Sequence, residues 1–162
     1  GLFAHRMGLP IKRFVAANNR NDVFLEYLHT GVYTPRPSVP TIANAMDVGD
    51  PSNFARILDL YGKNGNPHAE ISQLISGYRF TDEEIGATMK QVYNETGYVL
   101  DPHGACGYQA LIDNKLAPNE TGLFLETAIQ GENQFETLNG EMFMSSYYFL
   151  QSPIYPISKY SL

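Results

Sequence analysis

At 162 residues and 43% hydrophobic content, the chain is long enough to bury one sizeable core, and a piece of a larger protein is equally allowed. A formal charge of −6 and a pI near 5.1, with no lysine- or arginine-rich run, exclude the electrostatic footprint that nucleic-acid or anionic-membrane binding requires. Cys106 is the only cysteine, so no intrachain disulfide forms, and no apolar run approaches the roughly 20 residues that span a bilayer; a reducing cytoplasm is the expected setting.

The first residues read as the last turns of a helix, with Leu2, Phe3 and Met7 at near-helical spacing and no initiator methionine or signal-peptide pattern. The chain is therefore expected to start within an element. Gly8-Leu9-Pro10 ends that helix, because proline cannot donate and disfavours the helical region for its predecessor. Ile11 to Asn18 is short, β-branched and aromatic, and bounded by Pro10 and Asn18-Asn19, which predicts a strand. Asn21-Asp22 then offers an N-cap for a helix from Val23 to Leu28, with Gly31 as its stop.

Tyr33 to Asp50 carries Pro35, Pro37 and Pro40 with Gly49, and Pro51 follows, so a long loop is expected there. Ser52-Asn53 caps a predicted helix from Phe54 to Tyr61, whose Ile57, Leu58 and Tyr61 form an apolar stripe. Gly62 to Pro67 is a turn-rich break that lacks the order of a phosphate-binding glycine loop, and Ala69 to Ile75 is a further short helix. Thr81 and Glu84 form a capping-box pattern at the head of a helix reaching Glu95, with Gly97 as its end. Tyr98 to Leu100 reads as extended, Pro102 to Ile112 as a helix rich in small residues, and Gly122 to Thr127 as a strand. Alternation of this kind predicts an α/β fold with a mainly parallel sheet and flanking helices, in which ligands sit beyond the carboxyl ends of the strands.

The blocks MGLPIKRFVAANNRNDVFLEYLHTGVYTPRPS, TIANAMDVGDPSNFARILDLY, SGYRFTDEE, GYVLDPHGACGYQAL and GLFLETA, in this order and spacing, resemble the threonine synthase family over residues 1–128. That family belongs to the fold-type-II pyridoxal-phosphate (PLP) enzymes, and the resemblance implies a part of their large catalytic domain. It also implies a cofactor, PLP, and a small-molecule substrate, O-phosphohomoserine, which loses phosphate and gains water to give threonine. No nucleic-acid or membrane partner is expected.

By the same resemblance, Thr127 stands where the family's TAHPAKF segment places a hydroxyl against the cofactor's ring nitrogen, which moderates the electron sink without forcing full protonation. A strand-end threonine that satisfies a turn has the same appearance. Ser52, Asn53 and Arg56 place a helix start beside an arginine, a combination suited to the substrate phosphate and equally found as a plain cap with a solvated arginine. Asn18, Asn19 and Asp22 lie at a predicted strand end, either to hydrogen-bond substrate and cofactor or to cap the next helix. His103, at the start of a helix, is read as a structural hydrogen-bonder and carries no catalytic assignment.

Other chemistries fail on spacing. His5, His29, His68 and His103 are too far apart in sequence for a zinc pattern, so no metal site is expected, and Cys106 between small residues reads as packing rather than a nucleophile. None of Lys12, Lys63, Lys90, Lys115 and Lys159 lies in a block like the family's Schiff-base lysine motif, which belongs upstream together with the cofactor-phosphate loop. No catalytic residue is therefore assigned, and a fragment inactive by itself is expected. Residues 129–162 depart from the family, which continues as HPAKF after Thr127-Ala128. They are expected to form an atypical tail, disordered or collapsed on its own aromatics, with a reading-frame change in the gene as the explanation. The remaining alternatives are a part of another fold-type-II lyase, such as a threonine dehydratase relative, and an inert remnant.

Overall fold

The computed structural model describes residues 1–62 and 65–125 and two strand segments further on, the latter and Met46 as backbone only. Its contacts divide into two units, each treated separately: Gly1–Thr41 with Asp47–Phe80, and Ile42–Met46 with the described residues from Thr81 onward.

The first unit contains α1 (Leu2–Arg6), β1 (Phe14–Asn18), α2 (Val23–Thr30), α3 (Phe54–Tyr61), α4 (Pro67–Leu74) and β2 (Ile75–Arg79). β1 and β2 pair in parallel with Phe14 opposite Ile75 and Asn18 opposite Arg79, so three helices make the crossover that a parallel pair needs. The α/β expectation with a parallel sheet holds. The predicted first strand is shorter than expected, because Ile11 to Arg13 precede the pairing.

β2 corrects the sequence reading. The expected helix Ala69 to Ile75 is shifted back to Pro67–Leu74, started by Pro67 and capped by the Asn66 side chain on the Ala69 N–H, and Ile75 opens a strand that went unread. Gly77 explains why this strand contains a glycine. A Cβ there would come within 2.8 Å of Leu25 Cδ1 and 3.0 Å of Leu28 Cδ1, so the missing side chain lets α2 lie on the sheet.

The core of this unit joins Tyr27 and Leu28 of α2, Phe54 and Tyr61 of α3, Ile71 of α4 and Ile75 of β2. Phe54 is its centre: Tyr27 meets it edge-on at 4.7 Å between ring centroids and Tyr33 stacks on it at 3.9 Å. α2 ends as its sequence predicts, with Gly31 at φ 74°.

The second unit is built on α5 (Asp82–Thr96) and α6 (Pro102–Asp113), packed on each other. The capping box is present in full: Thr81 Oγ1 accepts from the Glu84 N–H, and the Glu84 carboxylate accepts from the Thr81 N–H at 2.8 Å. Gly97, at φ 74°, closes α5. Ile85, Met89 and Val92 of α5 and Ala105, Ala110 and Leu111 of α6 are buried. Gly122 to Leu125, expected as a strand, has no strand pairing among the described residues; Phe124 instead packs against Gly107 and edge-on to Tyr108.

Further on, β3 (Glu136–Leu138) and β4 (Glu141–Phe143) form an antiparallel pair with each other. Beyond this hairpin, the expectations for residues 129–162 and for a boundary at residue 128 lie outside the described residues. Among the described residues no helix is long and apolar enough to cross a membrane.

Candidate active site

The carboxyl end of β1 runs directly into a knot of polar side chains. Asn18 closes the strand: its carbonyl accepts from the Phe80 N–H at 2.9 Å, and its side-chain amide donates to the Tyr78 carbonyl at 2.9 Å and the Ala16 carbonyl at 3.2 Å. Its amide N–H₂ is thus spent on the sheet. Asn19, only 7% exposed, faces the long loop, where its Nδ2 donates to Thr41 Oγ1 and to Asp47 Oδ1, both at 2.9 Å, while its Oδ1 accepts from the Asn21 N–H at 2.8 Å.

Asn21 completes the knot. Its Nδ2 donates to the Val39 carbonyl and to Asp47 Oδ1, each at 2.9 Å, and its Oδ1 accepts from the Val39 N–H at 2.8 Å. Thr41 donates its hydroxyl to Asp47 Oδ1 at 2.7 Å and its N–H to Asp47 Oδ2 at 2.9 Å. A buried polar cluster is stable only when its members are paired in this way.

Asp22 stands at the N-cap position of α2 but makes no capping hydrogen bond. Its carboxylate pairs with Arg36 from the loop and with Arg79 from the end of β2, and Arg36 also pairs with Glu26. Of the two roles weighed for this segment, capping by Asn21 and Asp22 is absent. Asn21 and Asp22 bind the loop instead.

The loop is held again at Tyr33, Arg36 and Gly49. The Tyr33 hydroxyl donates to Asp50 at 2.7 Å, and burial, then the Asp50 hydrogen bond and charge, push the phenol up to about 12. The Arg36 N–H donates to the Gly49 carbonyl, and a Cβ at Gly49 would lie 1.8 Å from the Arg36 carbonyl oxygen, which only glycine avoids. This stretch leads into α3. Ser52, Asn53 and Arg56 are exposed at its start, and Asn53, at the N-cap position, contributes no capping hydrogen bond, contrary to the predicted cap.

Thr127 lies outside the described residues, as do Lys63 and Lys159. Lys12, Lys90 and Lys115 are exposed. In the second unit, Asp101 caps α6 by accepting from the His103 and Gly104 N–H groups, in keeping with a structural helix start. Burial first, then the charge of Asp101, pushes the Cys106 thiol up to about 12, which leaves it protonated and unreactive as its packing role requires. Among the described residues no group of three or more His, Cys, Asp or Glu side chains is arranged to hold a metal ion.

Sequence reasoning singled out Asn19 and Asp22 but missed Thr41, Asp47, Arg36 and Arg79. The signal was the clustering of short polar residues within a proline-rich loop, and nothing local pairs Asp47 with residues 19 and 21.

Comparison with known proteins gives this geometry a family. The model of the family described as pyridoxal-phosphate dependent enzyme matches residues 2–127. Over 128 residues the chain is 44% identical to the threonine synthase of Haemophilus influenzae, covering 79% of this chain and 29% of that protein. Against the threonine synthase of Escherichia coli it is 42% identical over 129 residues, 79% of this chain and 28% of that one. The crystal structure of the Escherichia coli threonine synthase superposes with a TM-score of 0.69 at 40% identity, over 80% of this chain and 29% of that chain. The PLP-bound threonine synthase from Brucella melitensis gives 0.65 at 30% identity, over 72% and 30%. The chain thus spans under a third of the length of these relatives. With its parallel strands and the whole of the β1 end inside the matched residues, the chain belongs to the pyridoxal-phosphate dependent enzymes, whose cofactor is pyridoxal 5′-phosphate.

Proposed function

We propose that this chain is part of a threonine synthase, which in the cytoplasm converts O-phosphohomoserine and water to threonine and phosphate. The observation that carries the reading is the 44% identity over 128 residues, within a chain whose family match over residues 2–127 contains the β1 end, the Asp47 loop and the start of α3. No feature of the described residues favours a dehydratase relative over this reading.

PLP, when bound, supplies the electron sink for this chemistry. The described residues do not by themselves make its seat. A lysine that bonds the cofactor has to be desolvated and close to it, whereas Lys12, Lys90 and Lys115 are exposed. No step is therefore assigned to them, and the chain alone is inactive in this account.

The part assigned to this chain is binding and orientation. Ser52, Asn53 and Arg56 hold the substrate phosphate: the start of α3 presents the positive end of its dipole, Asn53 makes no side-chain cap there, and Arg56 brings a positive charge one turn in, while the Phe54 and Arg56 N–H groups are held by the Pro51 and Asn53 carbonyls. Asn19 and Asp22 fix the loop around the ligand, with Asn18 closing the strand beneath them. Thr127 supplies the hydroxyl for the cofactor's ring nitrogen.

A chimera tests this directly. The matched 129 residues of the Escherichia coli threonine synthase are exchanged for those of this chain, and phosphate release from O-phosphohomoserine is measured. The chimera is expected to release phosphate, with Arg56→Gln lowering kcat/KM by about tenfold for the loss of one charged phosphate contact. A folded, PLP-loaded chimera without phosphate release would contradict the reading. The isolated chain with PLP is expected to release none.

A further inference from the structure

Every group that reaches the Asp47 carboxylate is a donor. Asn19 Nδ2, Asn21 Nδ2 and the Thr41 hydroxyl converge on Oδ1 at 2.9, 2.9 and 2.7 Å, and the Thr41 N–H meets Oδ2 at 2.9 Å. A carboxylate can accept on both oxygens and has no N–H to turn toward a donor. An asparagine in its place would turn an N–H₂ group toward at least one of these donors, and the remaining hydrogen bonds of the knot leave little room to rearrange. Asn19 also donates to Thr41 Oγ1, and Asn21 is bonded to the Val39 backbone through both ends of its amide.

The same residue governs the next stretch of the chain. From Asp47 the backbone passes Gly49, whose carbonyl accepts from the Arg36 N–H, and Asp50, which accepts from the Tyr33 hydroxyl, and then enters α3 at Ser52 and Asn53. One carboxylate therefore ties the carboxyl end of β1 to the segment that sets the start of α3. We propose that Asp47 is a positioning residue: it does not touch the ligand, but it fixes the start of α3 relative to Asn19 and so forms the phosphate seat. This rests on the reading of Ser52, Asn53 and Arg56 as that seat, and the test separates the two.

The full chain is followed by amide NMR with inorganic phosphate as the probe, and amide hydrogen exchange is measured on the same samples. Phosphate is expected to shift the Ser52 and Asn53 amides of the wild-type chain. Asp47→Asn is expected to weaken that binding at least fivefold and to speed exchange at Asn21, Val39 and Thr41 at least tenfold, while the amides of α4 exchange as before. Thr41→Val is expected to act in the same direction, and Thr41→Ser, which keeps the hydroxyl, to stay within about twofold of wild type. If Asp47→Asn does not fold, the contrast between Thr41→Val and Thr41→Ser decides.

Arg56→Gln reports on the seat alone. Phosphate binding unchanged in Arg56→Gln removes the seat, and with it the role of Asp47 in forming one, even if exchange in the knot has quickened. Weakened binding in Arg56→Gln together with unchanged binding in Asp47→Asn keeps the seat and overturns the positioning role. Equal affinities for Thr41→Val and Thr41→Ser overturn it as well.

Discussion

The two units use the same residue types for different ends. In the second, polar side chains finish helices: Thr81 and Glu84 cap α5, Asp101 caps α6, and Thr88 returns its hydroxyl to the Glu84 carbonyl and to Gln109. In the first, Asn66 caps α4 in the same way, but Asp22 and Asn53 occupy N-cap positions without a side-chain cap, and the polar groups at the end of β1 are drawn into long-range contacts with the loop and β2. Local stabilisation has been given up there. A region that forgoes its nearest hydrogen bonds and fixes a loop at the end of a parallel strand is where an α/β protein places its ligand.

The comparison can be broken or sharpened by substitution. The largest effect is expected from Ile71→Ala in the core of the first unit, where the side chain is fully buried: a loss of about 4 kcal/mol in chemical denaturation, against which polar losses can be scaled. Gly49→Ala comes next, at about 3 kcal/mol, since the new methyl group meets backbone rather than a movable side chain. Its mark is loss of the Arg36 N–H protection in hydrogen exchange. If Gly49→Ala left that amide protected, the loop would not be held as described.

A pH series addresses the second unit. The Cys106 thiol is raised from 9.0 to about 12, so the folded chain keeps a proton that the unfolded chain gives up first. The stability this contributes is complete below about pH 9 and declines as pH rises toward 12. Between pH 9 and 10, where the raised phenols of Tyr27 and Tyr33 contribute less, the unfolding free energy from urea denaturation should fall by at most about 1 kcal/mol through Cys106, and Cys106→Ala should flatten most of that fall. An equal fall in Cys106→Ala would assign it to another group.

The smallest change is Thr81→Ala, which removes one capping acceptor and is expected to cost about 1 kcal/mol with no effect on phosphate binding at α3. A Thr81→Ala chain that lost phosphate binding would erase the distinction between the units.

Legibility in the sequence divides in the same way. Several local signals are legible, namely the capping box at Thr81, the left-handed glycines Gly31 and Gly97, and the α3 span from Phe54 to Tyr61, whereas the side-chain caps expected at Asn21-Asp22 and Ser52-Asn53 are absent because long-range partners or solvent take those groups. β2 was not read, because its apolar start continues the pattern of α4, and its glycine looks like a break until Leu25 and Leu28 of α2 are seen above it. A parallel strand is defined by a partner some sixty residues away, as Ala16 opposite Gly77 illustrates. Gly122 to Leu125 failed in the opposite direction: it has strand-like composition, but its Phe124 packs on α6. The candidate site was half legible. Asn19 and Asp22 were found from their place at a strand end, whereas Asp47 and Thr41 acquire meaning only once the fold brings them to Asn19 and Asn21.

The most direct measurement is a titration of the full chain with O-phosphohomoserine, followed amide by amide. The account predicts saturable shifts at Ser52, Asn53 and Arg56, with smaller ones at Asn19 and Asn21, and none at the starts of α5 and α6. Shifts centred on Thr81 or Asp101, or no saturable shift in the first unit, would contradict it.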